Sequence, residues 1–360
     1  MMNLKPIESF KVFSLNGANA FEFSRGSDLY FEIQNQKKYE IYKWNKKREE
    51  LIFSGDFKGE GFLSTGDFIA FRNKEFNLIF GPKNLSLDRS EITVNTLGST
   101  DCLLLPSYKG RGRDRVYGVY SLDDDEATFF DSIVPFRDVR SGILLGIKAT
   151  DLFAYSSRGK FLWKYNSDFE FVYNSLAIHP IWEGKLYCCQ SNSNSIIALD
   201  LSTGQLLQSW HTLPTGTTLG PQQSTVLPNP AHSVLHEEAG KILGLTGYYY
   251  WEIDLQTGAL QAQDCTSGFK SRRLRAMTRP VCQGDHLYFS SDEVFERPDG
   301  TLGHDIKLAA FNWRTRQIDW EWAFDHPGEG LYQIGMPKVH GDYLAAADTG
   351  GQLHLFKKTS

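Results

Sequence analysis

No stretch of this chain approaches the roughly 20 apolar residues that a membrane helix requires. The opening residues, MMNLKPIESFKVFSLNG, hold neither the apolar core nor the small-residue cleavage pattern of an export signal. Cysteine is scarce: five residues in 360, at positions 102, 188, 189, 265 and 282, odd in number and without framework spacing. That pattern speaks for reduced thiols rather than a disulfide scaffold. Basic charge is not in excess. Lys and Arg total 38 against 43 Asp and Glu, the net charge is -5 and the pI is near 6.0, so nothing pulls the whole chain toward nucleic acid or an anionic membrane. A Gly-rich phosphate loop, a nucleophile elbow and a His-Glu-x-x-His pair are also missing. These absences set the expectation of a cytoplasmic, monomeric protein of bacterial character, with no nucleic-acid or membrane partner.

What the chain does have is aromatic residues and a repeat. Phe, Tyr and Trp make up 14% of the sequence, a content that suits β-structure, where flat rings pack between sheets. A glycine precedes an apolar strand-like run at Gly26, Gly66, Gly98, Gly142, Gly184, Gly240, Gly284 and Gly341. Each marks a tight strand-to-strand turn, because glycine accepts a positive φ without steric cost. Eight steps complete the circuit at an average of 360/8 = 45 residues, the period of a four-stranded propeller blade.

A second landmark follows the later glycines. IIALDLSTGQLLQSW carries Asp200, Thr203, Gly204 and Trp210, and YWEIDLQTGALQAQ places Asp254, Thr257 and Gly258 in the same positions. LAAFNWRTRQIDWEW has Asn312 and Thr315 there, with Arg316 instead of the glycine. LFAYSSRGKFLW keeps Ala154, Gly159 and Trp163 in a turn one residue shorter. Asp or Asn caps the turn, Gly takes its left-handed position, and the tryptophan packs against the neighbouring blade. In these residues the chain resembles the quinoprotein-type (PQQ-like) β-propeller repeat family, most closely at 196–210. The resemblance implies an all-β chain in which residues 1–360 form one β-propeller domain of four-stranded antiparallel blades. The count gives eight blades, or seven if one weak early unit is not a blade. The N-terminal SFKVFSLNG is expected to supply the last blade's fourth strand and so close the ring.

The family includes enzymes in which two adjacent cysteines form a strained disulfide ring against the quinone, which draws attention to Cys188 and Cys189. Both lie inside the strand-like KLYCCQS, where successive side chains point to opposite faces, so two small core residues are expected and no cofactor. Long insertions fall only in second-to-third-strand and blade-to-blade connections: 108–115, 211–232, 264–280, 290–306 and 325–337. In a propeller those connections share one face, and long loops on a rigid scaffold are where binding resides. The candidate partner- or ligand-binding residues there are Lys109, Arg111, Arg113, Lys270, Arg272, Arg273, Arg275, Arg279, Asp292, Glu293, His304 and Tyr332. The basic group suits an anionic ligand or an acidic protein surface. Asp305, His326 and His340 complete the acid–base candidates, without metal-ligand spacing, and no metal is expected. The function expected is a non-enzymatic protein-interaction scaffold using the long-loop face of blades 5–8, with Tyr249, Phe269, Phe295 and Tyr332 standing out from that face. The alternative is an enzyme with a channel-mouth site, either a quinone-dependent dehydrogenase or a carbohydrate-acting hydrolase or lyase.

Overall fold

The structure is a computed structural model. It describes residues 3–11, 21–23, 28–35, 38–45, 49–55, 59–64, 69–73, 76–80, 85–88, 96–97, 102–108, 115–121, 126–130, 136–140, 143–148, 150–156, 160–167, 178–190, 195–211, 232–269, 274, 276, 279–296, 298–300, 302–324 and 333–359. The strands form eight four-stranded antiparallel sheets. In chain order, sheets 1 to 7 occupy residues 21–55, 59–88, 96–130, 136–166, 178–210, 233–264 and 281–323, each in the spatial order of the sequence. Sheet 8 takes three strands from 338–359, and its fourth is the N-terminal strand Asn3–Lys11, paired antiparallel to Gln352–Thr359 with a bulge between Pro6 and Glu8. The strand expected there from sequence is SFKVFSLNG, 9–17; the strand observed begins earlier, at Asn3, and residues 12–17 lie outside the described residues. Among the described residues there is no α-helix, only a 3-10 turn at Thr266–Gly268.

Two compact units divide the chain. Phe21–Ser209 contains sheets 1 to 4 and nearly all of sheet 5, and Met1–Ala20 with Trp210–Ser360 contains sheets 6 to 8.

The turns form for the reasons the sequence suggests. Gly184, Gly240, Gly284 and Gly341 all have positive φ, between 55° and 72°, at first-to-second-strand turns. Gly26, Gly66, Gly98 and Gly142 lie outside the described residues. In the third-to-fourth-strand turns, Asp200 Oδ1 accepts the Thr203 amide at 2.8 Å and its hydroxyl at 2.9 Å, and Asp254 accepts the same pair from Thr257 at the same distances. Asn312 Oδ1 accepts the amides of Arg314 and Thr315. Gly204 and Gly258 take φ of 70° and 73°, and Arg316 takes 62° in the corresponding place.

Strands apolar on both faces must be covered on both, and the tryptophans do part of this work. Trp163, on the last strand of sheet 4, is 5% exposed and packs with Leu186, Cys188, Ile197 and Leu199 of sheet 5. Its indole N–H donates to the Leu201 carbonyl at 2.8 Å, so the ring is buried with its one polar atom satisfied. The ring lies flat over Gly204, where a Cβ would fall 2.5 Å from it. In the other unit Trp210 donates to the Gly258 carbonyl at 2.9 Å, and Trp320 of sheet 7 donates to the Leu4 carbonyl of sheet 8 at 3.1 Å. Burial of one such ring contributes about 3 kcal/mol.

Gly204 is thus needed twice, for its φ and for the ring above it, whereas a Cβ on Gly184 would meet nothing within 4 Å. Gly204→Ala should cost about 2–4 kcal/mol, strain and collision together, and Gly184→Ala only about 1 kcal/mol. Urea unfolding of the two variants measures the contrast.

Candidate functional site

In a sheet whose strands follow one another in space, the first-to-second and third-to-fourth turns lie at one end. The chain's entry, the second-to-third connection and its exit lie at the other. In sheets 6, 7 and 8 ionisable side chains stand at both ends.

At the short-turn end they bind one another. Glu252, 6% exposed, accepts hydrogen bonds from Lys241 Nζ and the Tyr250 hydroxyl, and Arg316 Nη2 approaches its carboxylate at 3.4 Å. The Arg316 guanidinium also stacks on the Tyr250 ring at 3.8 Å. Burial alone would raise the Glu252 pKa, but the bonds from Lys241 and Tyr250 and the two cations outweigh it and hold the carboxyl below its ordinary value. The Tyr250 hydroxyl is pushed up, first by burial and then by Glu252. Nearby, Asp319 accepts from His286 at 2.9 Å and from Asn312 at 3.0 Å. Arg314 pairs with Asp285 and stacks over Trp313, and His236 bonds the Gly284 carbonyl. These groups hold strands and sheets together.

Arg316 has a specific reason to stand in a glycine's place. The last strand of sheet 6, Leu260–Asp264, has no tryptophan to lay on the next turn. Asp264 stands there instead, and its Oδ1 accepts the Thr266 amide and hydroxyl. With no ring to make room for, the turn of sheet 7 carries a long side chain that reaches back to Tyr250 and Glu252 of sheet 6. The two departures from the repeat meet at one joint.

The long-connection end of these sheets is built differently. The segment 290–306, expected to be a loop, is instead a hairpin: strands His286–Glu296 and Leu302–Asn312 continue in register to the pair Glu296↔Leu302. Pro298-Asp299-Gly300 turns it, exposed to solvent. Described residues of the segment 264–280 are likewise packed into the protein. Cys265, Phe269, Leu274 and Ala276 are buried in the core between sheets 6 and 7, with Phe269 edge-on to Tyr248. The expectation that Tyr249 and Phe269 stand out for a partner is therefore corrected: they are 7% and 8% exposed, and Phe269 is part of that core. At the turn of sheet 8, Asp348 binds the Gln352 amide with one oxygen and His354 Nε2 with the other at 2.7 Å, while Phe324 lies edge-on to the imidazole.

Of the residues singled out from sequence, Arg279 is part-buried and its Nε donates to the Ser233 carbonyl at 3.0 Å, fastening the entries of sheets 6 and 7. Asp292, Glu293 and Phe295 lie on one strand of the hairpin and His304 on the other, with Asp292 opposite Ile306, Glu293 opposite Asp305 and Val294 opposite His304. His340 ends the first strand of sheet 8. Lys109, Arg111, Arg113, Lys270, Arg272, Arg273, Arg275, Tyr332 and His326 lie outside the described residues. Sequence reasoning missed Glu252 and Lys241; the signal available was an ionisable pair inside otherwise apolar strands.

Cys188 sits in an extended strand opposite Ile178 and Ile197, fully buried, with its thiol pKa pushed up by that burial. Cys188, Cys265 and Cys282 are free thiols, the last raised to about 12 by burial and then Asp285. Among the described residues no three His, Cys, Asp or Glu side chains converge as metal ligands, and no helix is long and apolar enough to cross a membrane.

Three outcomes follow. Arg316→Gly and Asp264→Trp should each destabilise the protein, and the double variant should recover about 1–3 kcal/mol of their summed loss, read by a urea double-mutant cycle. Since the Glu252 pKa is lowered on folding, its contribution is full above the ordinary value of 4.5 and fades as pH falls through the folded value. Glu252→Gln should therefore lower stability at pH 7 and flatten the loss below pH 4.5, followed by thermal melts across pH. Native alkylation should leave Cys188 unmodified until the protein is unfolded, with intact mass showing no loss of two hydrogens.

No family model matches the chain, and no curated protein matches it. Solved structures do resemble it. BamB from Moraxella catarrhalis superposes with a TM-score of 0.52 at 13% identity, over 83% of this chain and 86% of that one. A europium-containing methanol dehydrogenase gives 0.51 at 10% identity, over 98% and 93%. A chain of the mitotic checkpoint complex gives 0.50 at 10%, over 99% and 96%. At such identities the likeness is one of fold: the chain shares the all-β, propeller-like architecture of these proteins, and the resemblance to PQQ-like repeats finds support at that level.

Proposed function

We propose that the eight sheets are the blades of a single propeller, closed by strand Asn3–Lys11, and that the protein is a cytoplasmic, monomeric interaction scaffold of bacterial type. Its partner is another protein, which it binds through the long-connection face of blades 5–8. One observation carries this reading. In sheets 6 to 8 the short-turn end uses its charged and aromatic groups in joints between strands and sheets, whereas the opposite end carries every long connection and a hairpin with a solvent-exposed tip. The binding residues proposed are Asp292, Glu293 and His304 on the hairpin, with Arg279, Lys270, Arg272, Arg273, Arg275 and Tyr332 on the other long connections of the second half of the chain, and Lys109, Arg111 and Arg113 on the second-to-third connection of sheet 3. The basic members face an acidic part of the partner.

The reading is tested with a photo-crosslinking amino acid at Asp299 on the hairpin tip, and at Ser202 or Gln256 in exposed short turns. The expected result is a discrete adduct from position 299, absent from 202 and 256 and reduced by joint reversal of Arg272, Arg273 and Arg275 to Glu. Equal adducts from both ends would overturn the choice of face. A stoichiometric chromophore acquired with added quinone and calcium would overturn the scaffold reading in favour of a dehydrogenase.

A further inference from the structure

The hairpin of sheet 7 outruns its own sheet. Its two strands are eleven residues long, but the first strand, Val281–Gln283, pairs only with residues 286–288. The fourth strand, Gln317–Ala323, pairs only with residues 307–312, and the Phe324 amide adds one bond to the Ile306 carbonyl. From Glu293↔Asp305 to Glu296↔Leu302 the two strands pair, among the described residues, only with each other. Among the described residues no other strand lies along the 292–296 edge. Five residues of open strand edge are one strand's usual length, and such an edge is a template for another extended chain.

The ribbon's charge says what that chain carries. Positions 292–305 hold five acidic residues, Asp292, Glu293, Glu296, Asp299 and Asp305, against one arginine, Arg297. Glu293 stands directly opposite Asp305, a like-charge pairing that disfavours the ribbon. At the ribbon's base, the nearly buried Lys307 approaches Asp305 at 3.3 Å. Proteins commonly protect an exposed edge with lysine, and this edge has none. An incoming strand with Lys or Arg at alternate positions would satisfy the open backbone groups and relieve the repulsion at once.

We propose that residues 292–296 dock an extended, basic segment of a partner protein by strand addition. This rests on the reading that the long-connection end binds protein, and it names the partner's chemistry at the hairpin.

The test uses fluorescence anisotropy of the full chain with three labelled synthetic nonapeptides: alternating Lys and Val, alternating Glu and Val, and the Lys/Val peptide with its central Val replaced by Pro. The Lys/Val peptide should bind at least tenfold more tightly than either of the others. Its affinity should fall with salt and drop at least tenfold in Glu293→Lys and in Val294→Pro, the second of which keeps the charge and removes one edge amide. Melting curves establish that the variants are folded, and Glu296→Lys, next to the exposed tip, is a second charge variant should Val294→Pro not fold. Equal binding of the proline-interrupted peptide, or no effect of any ribbon variant, would overturn strand addition. No binding of the Lys/Val peptide, with a crosslinked partner still obtained from position 299, would overturn this inference while leaving the scaffold reading standing. Loss of both would remove the two together.

Discussion

A four-stranded sheet that is apolar on both faces cannot stand in water alone, and at sheets 4 and 5 the interaction that joins one to the next is an aromatic ring laid on a turn. Trp163 shows it most fully: the ring is buried against sheet 5, its N–H is satisfied by the Leu201 carbonyl, and Gly204 leaves the space beneath it. The Asp and Thr of that turn matter because they hold the glycine where the ring needs it. A repeat that reads as a turn motif followed by a tryptophan is therefore two halves of two different contacts. The turn receives a ring from the preceding sheet, and the tryptophan is passed on to the following one.

The exception at sheets 6 and 7 supports this account. Removing the ring and filling the glycine's place at the same joint leaves the packing requirement intact but changes its chemistry, from one apolar ring to a guanidinium stacked on Tyr250 and paired with Glu252. A buried carboxylate is tolerable there because Lys241, Tyr250 and Arg316 all face it. The segment Cys265–Ala276 then contributes Phe269 and Leu274 to the core, where a tryptophan would otherwise have helped to fill it.

The same economy separates the two ends of these sheets. Short turns leave little room for anything except contacts within the protein, and the His286–Asp319 and Arg314–Asp285 pairs serve that purpose. The opposite end accommodates extra chain without disturbing the joints, and sheet 7 uses it to extend a hairpin beyond its neighbours. Function is inferred where the structure carries what the fold does not need.

The sequence by itself determined the turns and the repeat of the second half of the chain, since a left-handed glycine, an Asx cap and near-continuous apolar runs are local requirements visible in one segment at a time. It also placed an N-terminal segment beside the C-terminal strand, although as 9–17 and not as Asn3–Lys11. It placed Cys188 in the core by the alternation of a strand. Only the tertiary structure decided which aromatic residues face solvent, because the cover over Phe269 comes from side chains of sheets 6 and 7 that packing brings together. It alone decided that 290–306 is a ribbon, since that depends on a register carried past the flanking strands. The role of Arg316 was equally hidden: the residue departs from its own turn's pattern, and the reason lies in a ring absent from the neighbouring sheet.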